Sequence, residues 1–473
     1  MNDEKYDIGM IGLGTMGRNL VLNISDKGYS AAGFDLDFSK LNMLRDEAGN
    51  RKILAVKSMN ELVMSLKQPR IIIMLVPAGP PVDSVITDLR PALQSGDILV
   101  DGGNSHYIDT DRRIMELAPD NIRFMGVGIS GGEKGARLGP SIMPGGSETG
   151  YVHLRSIFQA IAARVDNTPC CAWLGPGSAG HYVKMVHNGI EYGIIELIAE
   201  SYHLMKHCLG LTEDELHEVY SRWDSRELKS YLIEITADIF LQKDEFSEGR
   251  LINLIQDCAH QKGTGKWTTQ DAMDLQIPIP VIDSSVMMRD MSARKNERIA
   301  ASRIIKGPDP SFDGGRNSFI NKLGNALFFG MITAYAQGFA LMHAASESNG
   351  FNLRFDTIAQ IWRGGCIIRA EMLNNIYAAF SKNNDLPNLL TDEYFVRETS
   401  ARQKDLREVI KIGVDAGIPV PAFSSALTYF DSYRSSWLPG NLVQAQRDYF
   451  GSHQYERIDR GGMFHTQWNE GRG

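Results

Sequence analysis

The chain has 473 residues, 43% hydrophobic and 22% charged, which suits two or three soluble domains sharing a large core. A formal net charge of −8 offers no basic field to nucleic acid or an anionic membrane, so any bound anion must be met by a local pocket. The opening MNDEKYDIGM lacks a basic stretch followed by an apolar one, no apolar run approaches the ~20 residues of a membrane span, and five cysteines, two of them adjacent, suggest neither a disulfide framework nor a metal site. A cytoplasmic protein that needs no metal is expected.

From Tyr6 to about Gly175 short apolar runs alternate with amphipathic helical stretches. Strands are predicted over 7–12, 30–34, 70–76, 97–101, 123–129 and 171–174. Runs such as RIIIMLV and DILVDGG are apolar at successive positions, as strands covered on both faces are. This alternation predicts an α/β fold, a Rossmann-type doubly wound and mostly parallel sheet, over residues 1–178.

The first strand runs into Gly12-Leu13-Gly14-Thr15-Met16-Gly17 and then a helix. In that context Gly12 permits the tight turn, Gly14 lets a pyrophosphate approach the backbone, and Gly17 lets helix and strand pack closely. The helix N-terminus offers free N–H groups to the pyrophosphate. The second strand ends in Asp35-Leu36-Asp37. Asp35 is spaced to accept hydrogen bonds from an adenosine ribose. Leu36 stands where an arginine would be needed for a 2′-phosphate, and two carboxylates would repel that dianion, so NAD is expected over NADP. Capping of the next helix by Asp35 and Asp37 is the competing use of these side chains.

Next come DGGNS (101–105) and GVGISGGEKGA (126–136), at or after predicted strand ends, the edge where ligands bind in open sheets. There Ser130, Gly131 and Gly132 can present hydroxyl and backbone donors to a carboxylate.

Beyond GPGSAG (175–180) long helical stretches dominate to about Arg434, predicting a large all-α domain over 179–434. Its first helix carries KMVHNGIEY (184–192). Lys184 and Glu191 share a face about two turns apart, a rise of ~10.5 Å, with His187 and Asn188 between them. Buried, the lysine would favour its neutral form and become a general base, and Glu191, held protonated, could return a proton. A solvated face is the bland alternative, set aside because the stretch follows a dinucleotide domain directly. GIIELIAESYHLM from Gly193 and GMITAYAQGFALM from Gly330 echo each other, which predicts a duplicated helical unit, with chance similarity of two alanine-rich helices as the alternative. The same shift carries Lys184 onto Asn321, Asn188 onto Asn325 and Glu191 onto Phe328. HQKGTGKWT (260–268) joins Lys262, Thr264 and Lys266 to two glycines, a phosphate nest or else an exposed basic loop. The tail, 435–473, has too little periodic apolar surface to fold alone and is expected either to be disordered or to dock on another surface.

DGGNS, GISGGEKGARLGPSIMPGG, VKMVHNGIEYG, QKGTGKWT, IWRGGCIIR and QAQRDYFGSHQYER, in this order, resemble the 6-phosphogluconate dehydrogenase family, and the likeness covers nearly the whole chain. The resemblance implies an oxidative decarboxylation of 6-phosphogluconate to ribulose 5-phosphate in the pentose phosphate pathway. It implies a homodimer whose tail reaches into the partner subunit. Lys184 would take the C3 hydroxyl proton and Glu191 would protonate the enediol. Asn104, Ser130, Gly131, Gly132, His187 and Asn188 would hold the sugar acid, and Tyr192, Lys262, Thr264 and Arg289 its phosphate, with Arg447 and His453 from the other subunit. Gly12, Gly14, Thr15, Met16, Gly17, Asp35, Leu36, Asp37, Val76 and Asn104 would meet the cofactor.

The sequence departs from the family beside the adenosine. Asp35-Leu36-Asp37 replaces Asn-Arg-Thr, Pro77 replaces a lysine, and GLGTMG replaces GLAVMG; all three agree with the NAD reading. The rivals are a non-decarboxylating β-hydroxyacid dehydrogenase and a nucleotide-sensing protein without turnover.

Overall fold

The computed structural model describes residues 5–310 and 312–468, which divide after Ala426 into two units. The first unit begins with seven strands: β1 Ile8–Ile11, β2 Ala31–Phe34, β3 Ile53–Ala55, β4 Ile71–Met74, β5 Ile98–Asp101, β6 Arg123–Ser130 and β7 Ser141–Pro144. They form one sheet in the order β3-β2-β1-β4-β5-β6-β7, parallel except for β7, which runs antiparallel to β6. The apolar runs explain the double covering. Ile71 and Ile73 face one apolar cluster with Val21 and Phe158, while Ile72 and Met74 face the other with Val85 and Leu117, the period-2 alternation of a strand buried on both sides. Strand order reverses between β1 and β4, so a crevice opens at the carboxyl ends of these two strands.

Two strands lack the β-branched signature and are absent from the sequence reading. β3 is a half-buried three-residue edge strand, and β7 reads Ser-Ile-Met-Pro. Conversely, the predicted strand at 171–174 is not one. Only Cys171 forms a bridge, to Ile142, and Leu174 N donates to Pro144 O at 2.8 Å. The segment lies at the sheet edge with Pro169 before it and Gly175-Pro176 after it, and Trp173 turns its indole to Gly146 O at 3.1 Å.

Two long helices, Ala179–Leu209 and Arg316–Asn349, dominate the remainder. The second is long and apolar enough to cross a membrane by length and composition, and is largely buried inside the protein. Their packing bears the mark of duplication. A Cβ placed on Gly193 would lie 3.5 Å from Ala334, and one on Gly330 would lie 2.7 Å from Leu197. Gly193 matches Gly330 in the internal echo, and Leu197 matches Ala334, so each helix presents the same two positions to the other. Reciprocal contacts of this kind define a local two-fold relation.

The second unit holds helix Gly440–Gly451 and a two-stranded ribbon, Tyr455–Glu456 with Met463–Phe464. It is organised by Asp448, fully buried, whose carboxylate accepts from Gln454 N, His465 Nδ1, Thr466 N and Trp468 Nε1 at 2.8–3.1 Å. Burial works to raise the Asp448 pKa, but these hydrogen bonds together hold it well below the usual carboxylate range.

Candidate active site

The glycine-rich turn is built as its sequence demands. Gly12 adopts φ +93°, and a Cβ on Gly17 would meet Gly12 O at 1.9 Å, so the helix can start against the turn only because that position is bare. Helix Thr15–Asp26 has Gly14 at its N-cap and no side-chain cap, which leaves its first N–H groups free for an anion. Thr15 is exposed and Met16 half-buried at its start. Gly12, Gly14, Asp35, Leu36 and Val76 line a cleft of about 460 Å³ together with Lys40 and Pro77. Asp35 accepts from Leu13 N at 2.7 Å and Asp37 N at 2.9 Å, and Lys40 Nζ lies 3.5 Å away. Leu36 projects into solvent, 81% exposed. Asp37 caps helix Phe38–Ala48, accepting from Ser39 N and Oγ, and the Ser39 hydrogen bonds hold its carboxyl low.

Across the sheet edge, Asp101 shapes the turn that carries Asn104. It accepts from Gly103 N at 3.0 Å and Ser105 Oγ at 2.5 Å, and the fully buried Arg113 guanidinium stands 3.4 Å from it. Asn104 itself is exposed. Ser130 ends β6, its Oγ 3.3 Å from His187 Nε2 and accepting from Ile367 N at 3.4 Å. Gly131 follows against the carbonyl of Gly365, and Gly132 opens the next short helix.

The polar stripe is buried. Lys184 is 6% exposed, His187 0% and Asn188 7%, with Glu191 half-buried at its end. Lys184 Nζ donates to Asn188 Oδ1, the same oxygen lies 3.2 Å from His187 Nδ1, and that nitrogen is 3.8 Å from Glu191 Oε2. The two proposed proton carriers thus stand at the ends of one short polar chain. Burial lowers the Lys184 pKa, against the opposing pull of Glu191. Burial raises that of Glu191, against Lys184 and Arg289. His187 is driven well below its ordinary value by burial and by Lys184, so it is neutral and its contact with Glu191 is no ion pair. The sheet does much of this desolvation. A Cβ on Gly128 of β6 would sit 2.4 Å from Lys184 Cβ, so strand and helix meet there without a side chain between them.

One turn on, the Arg289 guanidinium lies 3.3 Å above the ring of Tyr192. Thr264, buried, is the first residue of helix Thr264–Asp274, which has no side-chain cap. The Thr268 hydroxyl donates to Met185 O at 3.0 Å and fastens that helix to the Lys184 helix. Lys262 is exposed just before it. Lys184, Asn188 and His187 are therefore hydrogen-bonded together with Glu191 standing 3.8 Å beyond, Ser130 on one flank and Tyr192 with Arg289 on the other. Arg447 and His453 belong to the second unit. Both are exposed; Arg447 donates to Gln444 Oε1 at 2.9 Å and His453 lies edge-on to Phe450. Among the described residues no group of three His, Cys, Asp or Glu is arranged to hold a metal.

Comparison with known proteins now decides the family. A family model described as the NAD binding domain of 6-phosphogluconate dehydrogenase matches residues 7–175, and one described as the 6-phosphogluconate dehydrogenase C-terminal domain matches 180–468. The chain belongs to the 6-phosphogluconate dehydrogenase family. A Lactococcus lactis 6-phosphogluconate dehydrogenase, decarboxylating, is 50% identical over 464 residues, covering 98% of each chain. A Bacillus subtilis relative named as NADP(+)-dependent and decarboxylating is 51% identical over 466 residues, 98% of this chain and 99% of the relative. The solved Plasmodium falciparum 6-phosphogluconate dehydrogenase superposes with TM-score 0.95 at 43% identity, over 98% of this chain and 100% of that one. As a member of this family the chain is an oxidoreductase, and its cofactor is a nicotinamide dinucleotide.

In this member of the 6-phosphogluconate dehydrogenase family the candidate site also gathers residues that the sequence reading does not single out. Lys40 faces Asp35 from the first turn of the following helix, where its spacing offered a signal. Arg113 braces Asp101, and Asp271 accepts from Tyr107 and Tyr182. Each of these last contacts joins separate elements, and no local motif announces it.

Proposed function

We propose that this chain catalyses oxidation and decarboxylation of 6-phosphogluconate to ribulose 5-phosphate and CO₂, with NAD⁺ preferred over NADP⁺. The observation that carries this reading is the buried chain Lys184–Asn188–His187–Glu191, an amine and a carboxyl each pushed by burial toward its neutral form beside a dinucleotide fold. Bound at the Gly12–Gly14 turn, the dinucleotide supplies the hydride acceptor; the uncapped helix start and the Asp35 carboxylate fit its pyrophosphate and ribose.

Lys184, as the neutral amine, takes the proton of the C3 hydroxyl as that carbon is oxidised, and the resulting ammonium polarises the new carbonyl while CO₂ leaves. Glu191, held protonated, then protonates C1 of the enediol. Asn104, Ser130, Gly131, Gly132, His187 and Asn188 orient the sugar acid. Tyr192, Lys262, Thr264 and Arg289 grip the phosphate, joined by Arg447 and His453 of the partner subunit in a cytoplasmic homodimer. The exposed apolar side chains of Trp437, Leu442, Val443, Phe450 and Ile458 support docking of the tail, 435–473, on another chain, leaving 1–178 and 179–434 as the cofactor and substrate domains.

The NAD⁺ preference is supported by the cleft wall. Lys40 is already paired with Asp35, Leu36 offers no charge, and a 2′-phosphate would face the Asp35 carboxylate. The test compares kcat/KM for NAD⁺ and NADP⁺ with 6-phosphogluconate, with ribulose 5-phosphate and CO₂ assayed as products. Turnover without CO₂ would remove the decarboxylation. A ratio favouring NADP⁺, or one unmoved in the Asp35→Asn/Leu36→Arg/Asp37→Thr variant, would remove the specificity argument.

A further inference from the structure

One buried carboxylate ties together three stretches of the site that lie far apart in sequence. Asp271, 6% exposed, sits two turns into the helix that Thr264 opens. Its Oδ1 accepts from the Tyr107 hydroxyl at 2.5 Å, and its Oδ2 accepts from the Tyr182 hydroxyl. Tyr107 begins helix Tyr107–Leu117, three residues after Asn104, and Tyr182, fully buried, lies two residues before Lys184. The two phenol rings meet edge-on with centroids 5.0 Å apart, and His106 rests on Trp267 of the Asp271 helix at 4.8 Å. Burial and the neighbouring carboxylate both keep the phenols protonated, hence donors. Each carboxylate oxygen is assigned to one hydroxyl, in surroundings where water competes poorly.

We propose that Asp271 is a positioning residue that sets the spacing between the phosphate-gripping end of the site, at Thr264, and the Asn104–Lys184 end where oxidation occurs. This rests on the reading above, in which the substrate is a phosphorylated sugar acid spanning both ends. A ligand that touches one end does not sense the spacing. One that spans both does, and a displacement of about 1 Å can cost on the order of 10²-fold in rate.

The experiment compares inorganic phosphate, which reaches only the grip, with 6-phosphogluconate, which reaches both ends. In Asp271→Asn the KM for 6-phosphogluconate is expected to rise about tenfold and kcat to fall, while the inhibition constant of inorganic phosphate stays within about twofold of the unaltered enzyme. Phosphate inhibition weakening in parallel would overturn the proposal, because Asp271 would then merely hold the grip together. Unchanged constants for both ligands would overturn it too. Should Asp271→Asn fail to fold, the Tyr107→Phe/Tyr182→Phe variant removes only the two hydroxyls, keeps the ring packing, and is read by the same pair of constants. Failure of the unaltered enzyme to oxidise 6-phosphogluconate would bring down the functional reading, and this proposal with it, before any variant is compared.

Discussion

The two long helices echo each other in sequence but differ in what their matching positions do. In the first, Lys184 and His187 lie against Gly128 and Ser130 of β6, with the His187 ring also edge-on to Trp362 at 5.4 Å. In the second, the matching positions are Asn321, Gly324, Asn325 and Phe328. Asn321 is exposed, Asn325 donates to Asp405 at 2.6 Å, and Phe328 is 2% exposed in the core. A cavity of about 250 Å³, lined by Trp223, Asn321, Gly324 and Asn325, borders that stretch. Helical spacing is the same in both copies. What separates them is which side chains are buried. In the first stretch burial, to which Gly128 of β6 contributes at Lys184, moves the Lys184 and Glu191 pKa values toward their neutral forms, while the second buries Phe328 and leaves Asn321 exposed.

The sharpest way to break this contrast is to remove the amine from the covered copy. Lys184→Met should lower the oxidation rate by about 10⁴-fold, equivalent to about 5.5 kcal/mol of barrier, at unchanged fold; rapid-quench measurement of the first turnover reads it directly. The reverse intrusion, Phe328→Glu, would bury a carboxylate in the second copy without the polar chain that receives Glu191. It should cost about 4 kcal/mol of stability, seen as a lowered urea midpoint at constant slope. A pH profile sharpens the comparison without mutation. Burial lowers the Lys184 pKa, so the neutral amine is populated below the ordinary lysine range; below the lowered value the ammonium takes over and kcat/KM should fall about tenfold per pH unit. A flat acid limb would mean another group takes the proton. Smallest of all, Asn321→Lys places a lysine at the uncovered position and should change stability by no more than about 0.5 kcal/mol and activity not at all.

Much of this was legible in the chain because the relevant signals are local. The glycine turn, the doubly buried strands and the polar i, i+4, i+7 stripe each fit within a short window, and each imposes a periodicity that solvent or core must satisfy. What escaped depends on partners far away. β7 is a strand because β6 offers it an edge, not because Ser-Ile-Met-Pro prefers one. Residues 171–174 have the apolar look of a strand but pair at one point only. Arg113 and Asp271 look like ordinary surface charges on amphipathic helices until the fold brings Asp101 and two tyrosines against them. For Asp37 the structure selects one of the two uses legible in the sequence: its carboxylate caps the helix after β2.

Gly128 carries a consequence for anyone who surveys this enzyme by mutation. A methyl group there would arrive at 2.4 Å from the Cβ of Lys184 and would have to shove that side chain aside. Activity is then expected to drop steeply at a residue that has no side chain of its own. A screen scored by turnover alone would file this bare backbone position among the chemical groups, when its whole contribution is to be empty.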